Sequence, residues 1–150
     1  MAELFNISDA ARIGLHAVLL LAQQPDERLT INELAAALGC STAHLAKILA
    51  QLQRTGFVKG KSGPNGGYQL ARSADQISLL EVYQAIEGEV LAARCPFAVP
   101  VCDGGGCPLG TFFQYLNRQV ISRLSRQKLS EVKLKFGGKD GQKKEDNKDR

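Results

Sequence analysis

The sequence lacks membrane-spanning segments, a secretion signal and recognisable catalytic motifs, and these absences limit the classes of protein to which it can belong. It has no run of about eighteen apolar residues, so no segment is expected to span a membrane. No basic region followed by an apolar one lies at the N-terminus, which argues against a secretion signal and predicts a cytoplasmic protein. The sequence also has no evident carboxylate pair, Ser/His/Asp set or phosphate-binding loop. We therefore do not expect an enzyme.

Acidic residues are missing from a long internal stretch. The 150-residue chain has 15 Asp and Glu residues and a net charge of +4, yet no acid lies between Glu33 and Asp75. This distribution is typical of a surface that faces phosphates. A solvated basic face is the alternative for a charge cluster alone, but the motifs below favour nucleic acid. The basic residues of the stretch are Lys47, Arg54, Lys59, Lys61 and Arg72.

Capping signals predict a helix-turn-helix unit within this region. Ser8 precedes an apolar pattern of helical spacing that predicts a first helix from Asp9 to about Gln23. Thr30 and Glu33 form an S/T-x-x-E capping box for a second helix, which Gly39 ends. Ser41 then caps a third helix, predicted to run from Thr42 to about Thr55. Two helices joined by a short glycine-containing turn are typical of DNA-binding helix-turn-helix units.

A β-hairpin is predicted directly after the third helix. Phe57 to Lys61 and Tyr68 to Ala71 are the expected strands, and the Gly63–Gly67 turn between them contains the Asn-Gly pair that favours hairpins. A two-stranded wing in this position predicts a winged helix-turn-helix. The fold class is therefore mainly α with a small β-hairpin wing, completed by a long C-terminal helix.

Four segments are predicted along the chain. Residues 1–88 form the winged helix-turn-helix domain, which ends with a helix opened by a capping box at Ser78 and Glu81. Residues 89–110, rich in proline, glycine and cysteine, form a sensor loop. Residues 111–136 contain a helix capped by Thr111, whose wide apolar stripe fits either a core or a subunit interface, and we expect dimerisation. Residues 137–150 are expected to be a disordered tail.

The predicted DNA contacts lie on the third helix and the wing. Small polar and basic side chains at the start of a recognition helix suit the major groove, whereas basic side chains on a wing suit backbone or minor groove. The candidates are Ser41, Thr42, His44, Lys47, Gln51, Arg54, Lys59, Lys61, Asn65 and Arg72.

Three of the four cysteines lie close together. Cys95, Cys102 and Cys107 have the spacing C-x6-C-x4-C, which is wide for structural zinc and has no histidine nearby. Irregular glycine-rich loops accept iron–sulfur clusters, because free backbone N–H groups can bond the sulfurs. The spacing leaves two hypotheses open: an iron–sulfur cluster, or three unliganded thiols with a redox disulfide among them. Cys40 lies in the helix-turn-helix turn and is expected to pack in the core.

Over roughly residues 4–133 the chain resembles the IscR/NsrR-like winged helix-turn-helix regulators of bacteria. The resemblance rests on the segments ISDAARIGLHAVLLLA, LTINELAAALGCSTAHLAKILAQLQRTGFV, SGPNGGYQLAR and ISLLEVYQAIEG and on the three cysteines. It implies a homodimer that binds a palindromic operator in double-stranded DNA. It also implies that Cys95, Cys102 and Cys107 ligate an iron–sulfur sensor cluster, with 2Fe-2S and 4Fe-4S both open.

The fourth ligand of such a cluster is unassigned. IscR-like members have a histidine three residues after the last cysteine, where this chain has Gly110. NsrR-like members use an aspartate of the partner's first helix, where this chain has Arg12, with the candidate Asp9 one turn earlier. His16 is expected to pack among the helices and His44 to face DNA. The alternative function is a cluster-free winged-helix regulator that senses through thiol oxidation, zinc or a partner protein.

Overall fold

The structure is a computed structural model that describes residues 7–90, 95, 99, 101–103, 105 and 107–135. The predicted disordered tail and 10 of the 22 residues of the predicted sensor loop lie outside the described residues. Within them, five helices and one antiparallel hairpin confirm the predicted fold class. The elements are α1 (Asp9–Gln23), α2 (Ile31–Leu38), α3 (Thr42–Arg54), β1 (Val58–Lys61), β2 (Gly67–Leu70), α4 (Leu79–Glu87) and α5 (Pro108–Arg126), with short 3₁₀ turns at Ala74–Gln76 and Leu129–Glu131.

Local hydrogen bonds explain where the first two helices begin and end. The Ser8 hydroxyl accepts from the backbone N–H of Ala11 at 3.0 Å, which satisfies one of the free donors at the start of α1. At α2, Glu33 accepts from the Thr30 N–H at 2.7 Å while the Thr30 hydroxyl accepts from the Glu33 N–H at 3.3 Å. Gly39 then ends α2 with a left-handed φ of 64°. These bonds match the capping signals in the sequence.

The core lies where α1, α3 and α4 meet, and the chain after α5 completes it. Leu129, which is 1% exposed, enters this core from the C-terminal side. Two backbone bonds hold it there: the Leu129 N–H donates to the Ile77 carbonyl at 3.0 Å, and the Leu79 N–H donates to the Gln127 carbonyl at 3.0 Å. No helix in the described ranges is long and apolar enough to cross a membrane. The other fully buried large side chains are Val18, Leu21, Leu34, Leu45, Leu49, Leu52, Ile77 and Val82.

The hairpin is attached to the helical body by a second pairing. In the hairpin itself, β1 pairs antiparallel with β2, with Val58 opposite Leu70 and Lys61 opposite Gly67. Tyr68 also pairs with Leu29, just before α2: the Tyr68 N–H donates to the Leu29 carbonyl at 2.8 Å, and the Leu29 N–H donates to the Tyr68 carbonyl at 3.0 Å. The wing is therefore held at its second strand as well as at its base.

Helix α5 begins earlier than the sequence predicts. It starts at Pro108, rather than after a cap at Thr111, because proline suits the first helical position and the Cys107 sulfur accepts from the Gly110 N–H at 3.3 Å. The helix packs against α4. None of its large apolar side chains described here is buried. Four of them have exposed fractions between 50% and 59%: Leu109, Phe112, Tyr115 and Val120.

Candidate nucleic-acid interface

The outward side of α3 carries polar and basic side chains. The Ser41 hydroxyl accepts from the His44 N–H at 3.2 Å and so caps the helix. Leu45, Ile48, Leu49 and Leu52 face the core, so the opposite side of the amphipathic helix faces outward. The predicted contacts Ser41, Thr42, His44, Lys47 and Arg54 are all exposed.

Gln51 differs from the other predicted contacts on α3. Its side chain is half-buried, and its amide donates to the carbonyls of Ala85 at 2.8 Å and Ile86 at 3.0 Å. The structure thus gives Gln51 partners on α4 rather than an outward position. The sequence carried no signal for this, because the partners lie 34 and 35 residues away.

The wing adds exposed basic residues beside α3. Lys59, Lys61 and Asn65 are exposed, and Asn65 adopts a left-handed φ of 59° at the tip of the turn. Arg72 behaves differently: its guanidinium lies 4.8 Å from the centre of the Phe57 ring and 3.4 Å from a Glu81 carboxylate oxygen. These two contacts hold Arg72 against the body of the domain, at the base of the wing.

Two glutamates at the margins of this surface are held in their ionised form. The backbone N–H and the hydroxyl of Thr30 keep the pKa of Glu33 below its ordinary value of 4.5. Burial raises the pKa of Glu81, but hydrogen bonds from Ser78 and Arg72 outweigh it, so this pKa also lies below 4.5. Both carboxylates therefore serve as helix-capping anions, and between them the sequence carries only Asp75 as a further acid.

A cleft of about 430 Å³ separates α1 from the α2–α3 turn. Asp9, Arg12, His16, Cys40 and His44 are among its lining residues. Asp9 pairs with Arg12 on its own helix. His16 is exposed, with Nδ1 2.7 Å from the Arg12 carbonyl oxygen, so the expectation that it packs among the helices is wrong. Cys40 is half-buried and packs against the core, as expected.

The cysteines of the predicted sensor loop have a suitable donor chemistry, but the described residues do not bring them together in a site. Cys95 and Cys107 are half-buried, Cys102 is exposed, and all three are free thiols. Thiolates are the soft ligands that iron–sulfur clusters require, and the Gly110 N–H already donates to one of the sulfurs. Among the described residues, no three His, Cys, Asp or Glu side chains are close enough to hold a metal ion. Gly110, which lies at the position of an IscR-like histidine ligand, is buried and has no side chain to offer.

Helix-turn-helix, hairpin wing and outward basic residues together define a winged helix-turn-helix protein of the DNA-binding class. The chain belongs to the Rrf2 family, whose model, described as "Iron-dependent Transcriptional regulator", matches residues 7–133. Members of this family are DNA-binding transcriptional regulators and not enzymes.

Solved structures of similar fold include several regulators. CymR (YrzC), the global cysteine regulator of B. subtilis, is 20% identical with a TM-score of 0.72, over 85% of this chain and 95% of its own. IscR of T. potens is 23% identical with a TM-score of 0.68, over 85% of each chain. CymR of Staphylococcus aureus in its oxidized form is 22% identical with a TM-score of 0.68, over 85% of this chain and 94% of its own. At these identities the likeness establishes the fold alone.

Proposed function

We propose that this protein is a homodimeric transcriptional regulator whose operator binding is controlled by an iron–sulfur cluster held by Cys95, Cys102 and Cys107. The observation that carries the proposal is that the three cysteines lie in the chain between a basic surface and an exposed apolar surface. An exposed, basic α3 and wing suit DNA, and a segment with three free thiols joins this domain to a helix with an exposed apolar face.

In the proposed complex, α3 is the recognition helix and enters the major groove. Thr42 and His44, at its N-terminal end, are positioned to contact base edges, which specify sequence. Lys47 and Arg54 contact phosphates, as do Lys59 and Lys61 on the wing. Ser41 and Asn65 complete the proposed set, whereas Gln51 and Arg72 are held by contacts within the protein.

The proposed dimer forms through the exposed side of α5. Leu109, Phe112 and Val120 recur at helical spacing on this helix, and apolar residues this exposed favour a partner surface. A two-fold dimer would place two recognition helices on half-sites of a palindrome, separated by about one helical turn or ten base pairs.

The proposed ligands are the three thiolates, with the fourth position open. A bound iron–sulfur cluster supplies redox-active iron, and an incomplete cysteine set leaves that iron accessible to small reactants. Ligation would fix the three cysteines relative to one another between α4 and α5. Asp9 of a partner subunit remains a candidate fourth ligand. Because Asp9 forms an ion pair with Arg12 on its own helix, that pair has to break before Asp9 can bind a cluster.

A cluster-free regulator is the second candidate. Its support is that the cysteines are free thiols and that Cys102 is exposed, as a redox-sensitive thiol would be. Under this alternative, thiol oxidation, zinc or a partner protein changes the same segment.

Purification without air separates the two candidates. We expect brown protein with a visible iron–sulfur absorption, which Cys95→Ala, Cys102→Ala or Cys107→Ala abolishes and Cys40→Ala preserves. Wild-type protein that stays colourless after anaerobic reconstitution with iron and sulfide would instead support the thiol switch. Gel retardation of promoter DNA against random DNA tests the regulator itself in both cases.

A further inference from the structure

The end of α4 is where the proposed recognition helix α3 contacts the helix that leads into the cysteine segment, residues 89–107. The last carbonyls of a helix have no partner within it. Here the Gln51 amide, reaching across from α3, donates to two of them, on Ala85 at 2.8 Å and on Ile86 at 3.0 Å. A single side chain of α3 therefore caps α4.

The same turn of α4 is also packed closely on α1. The Ser8 hydroxyl donates to the Glu87 carboxylate. At Gly14 of α1, an added Cβ would lie 2.3 Å from Ile86 Cδ1 and 3.1 Å from Ile48 Cγ2. Three helices thus meet at one turn, and a shift of that turn must displace α3 or α1 because close-packed interiors do not deform continuously.

The cysteine segment is connected to α4 directly at its first end and through α5 at its last end. It leaves α4 at Gly88, which has a φ of 91°, and its last cysteine, Cys107, caps α5, which packs against α4. A change in how the three cysteines are held therefore has a route to α4 from either end of the segment.

We propose that Gln51 is a positioning residue that transmits the state of the cysteine segment to the recognition helix. It contacts neither DNA nor the cysteines: it acts through its two hydrogen bonds to α4. The inference rests on the proposed function for what changes at the cysteines, but the link between α3 and α4 is independent of which group the cysteines bind.

The first test compares operator affinity between two cysteine states. Fluorescence anisotropy gives the Kd of full-length protein, reconstituted with iron and sulfide or stripped by a chelator. Wild type should show a ratio within the range of about 5 to 150 that is usual for allosteric coupling, and Gln51→Met should bring it to within about two-fold of one. Gln51→Lys, which restores an N–H donor, should keep the ratio. Gln53→Met, an exposed glutamine on the same helix, should also keep it.

A Gln51→Met variant whose two Kd values change by the same factor would overturn the proposal, because a direct DNA contact or a purely structural role moves both states equally. The added lysine charge in Gln51→Lys should change the Kd of both cysteine states by the same factor, so it cancels in the ratio of the two Kd values.

The second test needs no cluster. Coupling is reciprocal, so operator binding to the stripped protein should change amide hydrogen exchange at the end of α4, including the Gly88 N–H that donates to the Gln84 carbonyl. The change should be present in wild type, Gln51→Lys and Gln53→Met and absent in Gln51→Met. If operator DNA does not change amide hydrogen exchange at the end of α4 in the wild-type protein, the proposed link between α3 and α4 is wrong. A flat affinity ratio in wild type, together with the expected exchange change, would instead reject cluster control and keep the link.

Discussion

Gly67 lies beside the backbone of Leu29, where the wing pairs with the helical body. Replacing this glycine by alanine should disrupt that pairing. Gly67 has a φ of 132°, a conformation that L side chains rarely adopt. An added Cβ would lie 2.7 Å from the Leu29 carbonyl oxygen and 2.9 Å from its carbon. Both are backbone atoms and cannot rotate away, so the clash has to separate Leu29 from the neighbouring Tyr68.

The expected cost has two parts. Backbone strain at a position of this kind costs about 1–3 kcal/mol. Loss of the two Leu29–Tyr68 hydrogen bonds, at 2.8 and 3.0 Å, adds about 0.5–1.5 kcal/mol each. Gly63→Ala is the matched control, because Gly63 has a φ of 91° with no atom within 4 Å of an added Cβ. It should suffer the strain alone, which leaves a difference of about 1–3 kcal/mol between the variants.

Urea unfolding followed by circular dichroism measures this difference, and operator affinity measures its consequence for the wing. We expect Gly67→Ala to be the less stable variant and the weaker operator binder, with its melting temperature lower by about 2–4 °C for each kcal/mol. Equal free energies of unfolding for the two alanine variants would refute the reasoning, since the close approach to Leu29 would then contribute nothing.

Three further predictions concern the interface, the dimer and pH. Lys47→Ala should lower the log–log salt slope of operator binding by about 0.9 for one lost phosphate contact, and an unchanged slope in a salt titration would remove Lys47 from the interface. Phe112→Asp combined with Val120→Asp should give a folded monomer in sedimentation velocity, because charge cannot be buried cheaply in an apolar interface; a folded dimer would place the interface elsewhere. The folded-state pKa values of Glu33 and Glu81 lie below 4.5, so their stabilisation is complete above that pH and is lost as pH falls through the lower folded values. Urea midpoints from about pH 6 to about pH 3 should therefore fall less steeply in a Glu33→Gln, Glu81→Gln variant than in wild type, and identical slopes would contradict the assignment.

Features that depend on neighbouring residues could be predicted from the sequence. Ser8, Thr30, Ser41 and Ser78 each cap a helix as predicted, because the donor N–H lies three residues further along the chain. The left-handed Gly39 follows from the same local chemistry. Strand boundaries were within one residue of those observed.

Features that depend on distant residues could not be predicted. Gln51 lies on the polar side of α3 with Lys47, and only the position of α4 turns its amide inward. The pairing of Leu29 with Tyr68 joins segments that carry no shared pattern. His16 follows the spacing of a helix that is largely buried, yet its own position on that helix is exposed. In each case the outcome depends on how elements pack, which periodicity alone does not specify.

The insertion of Leu129 has a consequence for how the protein is made. The winged domain lacks part of its own core until this residue arrives, because Leu129 is fully buried there and is tied to Ile77 by a backbone bond. A nascent chain on the ribosome therefore synthesises its three clustered cysteines and α5 before the domain can close. A truncated product that ends before residue 129 would carry the DNA-binding helix on an incomplete fold, which favours its removal by proteases.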